Sequence, residues 1–119
     1  MYISKEFKFD SAHQLIEYNG KCENLHGHTY KLRVTLKGEV DKKTGMIIDF
    51  TILKKIVNDN IIEKLDHNYL NNIVKQPTAE NIVGWIWNEL YPLLQGENYK
   101  LHELILWETE DSFVILRDE

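Results

Sequence analysis

Residues 28–37 read HTYKLRVTLK, and this stretch alternates strictly between apolar and polar side chains. The apolar positions, which follow His28, are Tyr30, Leu32, Val34 and Leu36. Successive side chains of a β-strand point to opposite faces of a sheet, so the stretch predicts a strand with one buried and one wet face. Because antiparallel sheets commonly have this one-sided burial, we expect an antiparallel sheet.

A second strand is predicted before this one, and a turn after it. Residues 2–13 also alternate, and the side chains that share one face are Phe7, Phe9, Ser11 and His13. Residues 41–45 read DKKTG, which is typical of a turn.

The hydrophobic period then changes from two to about four, which predicts two helices. Asp49 is placed to cap the first helix, whose apolar stripe is Leu53, Val57, Ile61 and Leu65. Thr78 is placed to cap the second, whose stripe is Ile82, Val83, Ile86 and Leu90. We expect the second helix to end near Pro92 and Gly96.

The C-terminal residues predict a β-hairpin. Residues 103–108 and 112–117 are apolar and β-prone, with a short turn at Glu110 and Asp111 between them. The predicted order is therefore strand, strand, helix, helix, strand, strand. This order is typical of the α+β class, with a four-stranded antiparallel sheet and two helices on one face, in a single domain spanning residues 1–119.

Composition excludes several classes of function. Of the 119 residues, 43% are hydrophobic and 28% are charged, which is typical of a globular protein. The net charge of -5 and the lack of a basic arm argue against a nucleic-acid partner. No apolar run approaches membrane-spanning length, so we expect no membrane partner. A single cysteine leaves no intrachain disulfide and favours a cytoplasmic location.

Three of the five histidines form a candidate zinc site. His26 and His28 flank Gly27, and residues i and i+2 of a strand face the same side, so both imidazoles can converge on one ion. His13 ends the neighbouring predicted strand on its apolar face. Zinc with three protein ligands keeps a fourth position open, which is typical of a catalytic site. The alternative is an ordinary strand-end histidine beside an accidental pair.

Cys22 lies in a polar loop four residues before His26, next to Lys21. A cation and a nearby metal would stabilise its thiolate, which could act as a general base or nucleophile. It could also be a fourth zinc ligand, and the site would then be structural. Burial as a small apolar residue is the third interpretation.

Three acidic or basic residues elsewhere are further candidates. Asp66 and His67 follow the first predicted helix, and they are either an acid/base pair or a helix end with a histidine at its negative pole. Glu108 ends an apolar strand, where a carboxylate is costly unless it is paired or emerges into solvent. As a functional residue it would accept two N–H groups from the edge of a purine-like or pterin ring.

Six segments of the chain together resemble the 6-pyruvoyl/6-carboxy-tetrahydropterin synthase family. In chain order they are Phe9-Asp10-Ser11-Ala12-His13, Cys22-Glu23-Asn24-Leu25-His26-Gly27-His28, Gly45-Met46-Ile47-Ile48-Asp49-Phe50, Leu65-Asp66-His67, Pro77-Thr78-Ala79-Glu80-Asn81 and Trp107-Glu108-Thr109. They occur in the family's order and span nearly the whole chain.

The resemblance implies the tunnelling fold, in which ββααββ subunits join their sheets into a trimeric barrel and two trimers stack into a hexamer. It implies zinc on His13, His26 and His28. Cys22 would act with Asp66 and His67, contributed by a neighbouring subunit, in proton transfer. Glu108 would anchor the pterin ring, and Thr78 would assist.

The substrate that the resemblance implies is 7,8-dihydroneopterin triphosphate. The bacterial branch, which this sequence resembles most, loses triphosphate and acetaldehyde to give 6-carboxy-tetrahydropterin for queuosine and related deazapurines. The alternatives are formation of 6-pyruvoyl-tetrahydropterin, or side-chain cleavage to 6-hydroxymethyl-dihydropterin for folate synthesis with Glu23 as the acid/base. A rival from another class is a non-catalytic pterin- or purine-binding protein, which would not need Cys22, Asp66 and His67.

Overall fold

The computed structural model of the chain describes residues 1–16 and 24–118. Its strands are β1 (Tyr2–His13), β2 (His26–Gly38), β3 (Asn68–Tyr69), β4 (Tyr99–Thr109) and β5 (Ser112–Arg117). Its helices are α1 (Phe50–Val57), α2 (Glu63–Leu65) and α3 (Ala79–Leu90), with a π-helical turn, Asn58–Ile62, joining α1 to α2. Short 3-10 turns follow β3 at Leu70–Asn72 and α3 at Tyr91–Leu93.

The strands form one sheet in the order β3-β1-β2-β4-β5. The four long strands are antiparallel, as the alternation predicts, and they confirm the α+β class. The two-residue strand β3 was not predicted. It pairs in parallel with β1 at Ser11 and Ala12, where the chain returns from α2 along the edge of the sheet.

β4 begins four residues before the predicted start at residue 103. The sequence does not reveal its first part because a β-bulge interrupts the alternation of apolar and polar residues. The β2–β4 register shifts between Thr35 and Leu36, so that Thr35 pairs with Glu103 but Leu36 pairs with Leu101. One extra residue, His102, is therefore accommodated in β4. Leu101 and Leu104 are both fully buried although they lie three residues apart, which breaks the period of two.

α1, the π-helical turn and α2 form one helical segment that keeps a single apolar stripe against the sheet. In a regular α-helix each step of four residues rotates the stripe by about 40°, so three steps would rotate it by about 120°. A π-helical turn absorbs one extra residue and cancels most of this rotation. All four stripe residues are fully buried in consequence: Leu53, Val57, Ile61 and Leu65.

Both predicted helix caps are present. The Asp49 carboxylate accepts a hydrogen bond from the Thr51 backbone N–H at 2.8 Å. The Thr78 hydroxyl accepts one from the Asn81 backbone N–H at 3.1 Å. These bonds satisfy amides that a helix N-terminus leaves without an intrahelical partner.

The helices cover one face of the sheet, and the core lies between the two layers. Its sheet side includes Phe9, Tyr30, Leu32 and Leu106, all of which are buried. The opposite face of the sheet remains open and carries polar and aromatic side chains, including Trp107. No helix among residues 1–16 and 24–118 is long and apolar enough to cross a membrane.

The apolar stripe of the helical segment predicts that truncation of two of the segment's isoleucines will have very different effects on stability. Ile61→Ala should lower the free energy of unfolding by about 2–5 kcal/mol, because Ile61 is fully buried and its truncation leaves a cavity. Ile52→Ala removes the same atoms from a side chain that is 52% exposed and should change stability by about 0.5 kcal/mol or less. Urea denaturation at one protein concentration measures both, and equal losses would contradict this packing.

Candidate metal centre and active site

Three histidine side chains meet where β1 ends and β2 begins. His13 pairs with His26 and Ser11 pairs with His28 in the β1–β2 register. One ring nitrogen from each of His13, His26 and His28 lies within 4.8 Å of the other two. His13 is buried and the other two are half-buried, so the group is at the edge of the core. The structure thus brings together the three histidines that the sequence predicts as ligands.

Two hydrogen bonds define the tautomers of His13 and His26. His13 Nδ1 lies 2.8 Å from the Pro77 carbonyl oxygen, and His26 Nδ1 lies 2.9 Å from the Asn24 carbonyl oxygen. A carbonyl oxygen only accepts, so each Nδ1 of a neutral ring carries the proton and each Nε2 carries a lone pair. Backbone partners of this kind orient histidine ligands in metal sites.

The two Nε2 atoms face one another 3.0 Å apart. Two lone pairs at that separation repel unless a proton or a metal ion lies between them. Tetrahedral zinc at about 2.0–2.1 Å from each nitrogen would place its ligand atoms roughly 3.3 Å apart, close to the observed separation. The donor set therefore fits a divalent metal such as zinc.

Glu108 and Tyr30 lie next to this group. Glu108 Oε1 is 3.8 Å from His28 Nε2, and the Tyr30 hydroxyl is 3.4 Å from His13 Nδ1. Burial raises the pKa of Tyr30 far above its usual range, and the nearby Glu108 charge adds to this. Tyr30 therefore stays neutral at physiological pH, and it supports the histidines as a neutral group.

Glu108 also lines a cavity of about 220 Å³ between the start of α3 and the β4–β5 hairpin. The other lining residues are Ala79, Glu80, Ser112, Phe113 and Val114. Thr78, the N-cap of α3, immediately precedes this lining, and its hydroxyl proton is available to donate while its oxygen accepts from Asn81. Glu108 thus faces both the histidines and a small cavity at the start of α3.

Asp66 and His67 form a pair of their own at the end of α2. His67 Nδ1 lies 3.0 Å from Asp66 Oδ2. The backbone of Asp10 in β1 holds the pair, because its N–H donates to Asp66 Oδ1 at 2.9 Å and its carbonyl accepts from the His67 N–H at 2.6 Å. His67 has a left-handed backbone, with φ of 55°.

The Asp10 N–H, and secondarily His67, hold the pKa of Asp66 below its usual value. Asp66 is therefore a carboxylate at neutral pH, and it fixes the Nδ1–H tautomer of His67. The His67 side chain is 79% exposed and is not part of the three-histidine group. The structure confirms that Asp66 and His67 interact, and it directs the imidazole outward from this subunit.

Sequence reasoning missed Asp10 as part of this arrangement. Its hydrogen bonds to the pair are made by its backbone, which leaves no mark in residue type. Cys22, the predicted proton-transfer residue, and Glu23, the alternative acid/base, lie outside the described residues.

Comparison with known proteins identifies the family of the chain. The family model described as 6-pyruvoyl tetrahydropterin synthase matches residues 2–119. The chain belongs to this family. Its tunnelling fold is seen in the 6-pyruvoyl tetrahydropterin synthase of Caenorhabditis elegans, which superimposes with a TM-score of 0.86 at 26% identity and covers 100% of this chain and 96% of its own.

Two relatives in the tetrahydropterin synthase family carry different names. A 6-carboxy-5,6,7,8-tetrahydropterin synthase of Haemophilus influenzae is 38% identical, over 93% of this chain and 94% of its own length. A dihydroneopterin monophosphate aldolase of Pyrococcus furiosus is 46% identical, over 91% of this chain and 90% of its own length. Family membership therefore makes the chain a pterin-synthase-type enzyme. Relatives of this similarity differ in the reaction for which they are named.

The group of three histidines predicts that replacing any one of them abolishes metal binding. His28→Ala should lose both zinc and activity, because two imidazoles bind zinc more weakly than three. The matched control is His102→Ala, since the His102 ring packs on Tyr2 at 4.8 Å and is not part of the group. Metal content should be measured by mass spectrometry on protein made without added metal. Stoichiometric zinc in the His28 variant would show that His28 is not a zinc ligand.

Proposed function

We propose that this chain is a zinc-dependent carbon–carbon lyase of 119 residues in one domain. It converts 7,8-dihydroneopterin triphosphate to 6-carboxy-5,6,7,8-tetrahydropterin, with loss of triphosphate and acetaldehyde, in the queuosine and deazapurine pathway. The observation that carries the proposal is the pair of Nε2 lone pairs facing each other 3.0 Å apart beside Glu108, in a chain of this family.

His13, His26 and His28 would hold the zinc ion. When bound there, zinc supplies Lewis-acid chemistry that lowers the pKa of substrate side-chain hydroxyls. In the neutral rings of His13 and His26, the Pro77 and Asn24 carbonyls hold the proton on Nδ1, so that Nε2 is the atom offered to a metal.

Glu108 binds the pterin ring. A carboxylate offers two oxygens to the neighbouring N–H groups of an amino-pyrimidinone edge, and such charge-assisted bonds are stronger than neutral ones. The cavity beside Glu108 is also lined by Ala79 and Val114, which provide apolar surface. Thr78 adds a neutral hydrogen bond at the start of α3. These contacts hold the pterin side chain toward the three histidines.

Cys22, Asp66 and His67 carry the protons. The Cys22 thiolate takes a proton from a side-chain carbon of the substrate. His67, whose Nδ1–H is held by Asp66 at 3.0 Å, presents its other ring nitrogen to accept and return that proton. An imidazole that is oriented in this way is suited to both steps.

The active site is built between subunits of a homo-oligomer, which we take to be a hexamer made of two trimers. The exposure of His67 supports this arrangement, because the side chain is 79% exposed and lies outside its own three-histidine group. The edge strand β5 also exposes Phe113 and Ile115, at 51% and 47%. Pairing with a neighbouring sheet would cover that edge. A cytoplasmic location agrees with the single cysteine.

Side-chain cleavage to 6-hydroxymethyl-dihydropterin for folate synthesis is the second candidate function. It is favoured by the relative named dihydroneopterin monophosphate aldolase, which is 46% identical over 91% of this chain. In that reaction Glu23 would act as the acid/base. The same scaffold would also support formation of 6-pyruvoyl-tetrahydropterin.

Product analysis decides among these reactions. The holoenzyme should be incubated separately with 7,8-dihydroneopterin triphosphate and with the monophosphate, and the products identified by mass spectrometry. We expect 6-carboxy-tetrahydropterin, acetaldehyde and inorganic triphosphate from the first substrate. Formation of 6-pyruvoyl-tetrahydropterin, or of 6-hydroxymethyl-dihydropterin from either substrate, would replace the proposal with the corresponding alternative. Binding of pterin without turnover would identify a binding protein.

Mixing inactive variants tests the shared site. Cys22→Ala and His67→Ala should each retain zinc and be nearly inactive as pure oligomers. After dissociation and reassembly together they should recover part of the activity, because some interfaces then combine an intact Cys22 with an intact His67. Subunit exchange should be proven with differently tagged chains. Absence of rescue despite exchange, or a monomer at micromolar concentration by light scattering, would exclude a site shared between subunits.

A further inference from the structure

The Asp10 carboxylate lies near His67 and Asp66, the two residues to which the Asp10 backbone is hydrogen-bonded. One carboxylate oxygen of Asp10, one of Asp66 and one ring nitrogen of His67 all lie within 4.8 Å of one another. His67 therefore has two acidic neighbours, of which Asp66 makes the direct contact at 3.0 Å. Because unlike charges attract at such distances, both carboxylates favour the protonated imidazole.

A hydrogen bond from β2 fixes the Asp10 carboxylate. Asp10 and Thr29 are directly opposite in the β1–β2 register, and the Thr29 hydroxyl donates to Asp10 Oδ1 at 2.5 Å. The backbone of the same residue is engaged on both sides by Asp66 and His67. Asp10 is consequently held at both its main chain and its side chain, and its charge has a defined position relative to the imidazole.

The other titratable and charged groups around His67 are engaged elsewhere. His28 and Tyr69 line the same 570 Å³ cavity as His67 and Asp10, and the Tyr69 hydroxyl is directed at Gln14. On α2, the Lys64 ammonium lies 3.7 Å from Glu89. Among the described residues, the carboxylates clustered with the His67 ring are Asp66 and Asp10.

We propose that Asp10 is a positioning residue for His67: its carboxylate, fixed by Thr29, is a second acidic partner that stabilises the protonated imidazole. The catalytic consequence rests on the proposed function, in which His67 accepts and returns a proton. A second carboxylate makes His67 a better proton acceptor and a weaker acid, so it sets the pH range in which both steps proceed. Asp66 determines the tautomer and orientation of the ring, whereas Asp10 adjusts its proton affinity.

Replacement of one carboxylate by an amide tests this division of roles. Asp10→Asn keeps the shape and the acceptor for Thr29 but removes the charge. We expect the pKa of His67, followed by NMR titration of labelled histidines in the zinc-loaded oligomer, to fall by about half a unit to one unit. His67→Gln identifies the resonance among the five histidines. The shift should shrink in 1 M salt, because the pair is partly solvated.

Asp41→Asn is the matched control. Asp41 follows β2 at the end of the sheet opposite Asp10, and its side chain accepts backbone N–H groups of its own turn. The same change of charge there should leave the pKa of His67 unaltered. Asp10→Ser, which also lacks the charge, provides a second measurement if the asparagine variant folds poorly.

Kinetics provides the second readout. In Asp10→Asn the limb of the kcat/KM pH profile that belongs to His67 should move to lower pH by the same amount as the NMR pKa. An unchanged pKa of His67 in a folded Asp10 variant would overturn the proposal. The NMR titration needs no turnover, so a protein without lyase activity would contradict the proposed function and leave this test intact.

Discussion

The register between β1 and β2 is the constraint on which the rest of the molecule depends. Pairing of Tyr2 with Lys37 at one end leads, residue by residue, to pairing of His13 with His26 at the other. The face that buries Phe9 and Tyr30 in the core is therefore the face that brings the histidines together. A slip of one residue would turn both the apolar residues and the ligands of one strand to the open face. Core packing and the convergence of the three histidines thus require the same register.

The helical segment of residues 50–65 packs on this sheet and thereby positions the second group of candidate residues, Asp66 and His67. Its π-helical turn keeps Leu65 in the core, and the next two residues leave the helix beside the end of β1. There the Asp10 backbone binds both Asp66 and His67, and the left-handed conformation of His67 completes the turn. Non-glycine residues rarely adopt this conformation, so the surrounding hydrogen bonds must stabilise it. The position of the His67 imidazole at the surface therefore depends on the burial of Leu65 in the core and on the hydrogen bonds from the Asp10 backbone.

Much of this arrangement was predictable because its causes are periodic. Alternation in residues 28–37, the stripe from Leu53 to Leu65 and the caps Asp49 and Thr78 each depend on local geometry that residue type reveals. The start of β4 was not predictable, because the bulge at His102 breaks the alternation and only the pairing with β2 compensates for it. The hydrogen bonds of the Asp10 backbone with Asp66 and His67 could not be predicted from the sequence, for a different reason. Backbone N–H and C=O groups are the same at every residue, so their use by Asp66 and His67 needs three-dimensional structure.

The division between scaffold and loop explains why fold alone leaves the reaction open. Relatives with different names, a carboxy-tetrahydropterin synthase and a monophosphate aldolase, each match more than nine-tenths of this chain. In the proposed function, ring binding by Glu108 and activation of hydroxyl groups by a metal would serve each of the candidate reactions. What must differ is the group that removes or supplies each proton, because that decides which bond breaks. In this chain the sulfur of Cys22 and the carboxylate of Glu23 are adjacent in sequence, whereas His13, His26, His28 and Glu108 belong to the sheet. A change of base at these two positions would therefore redirect the chemistry without disturbing the register that brings the three histidines together.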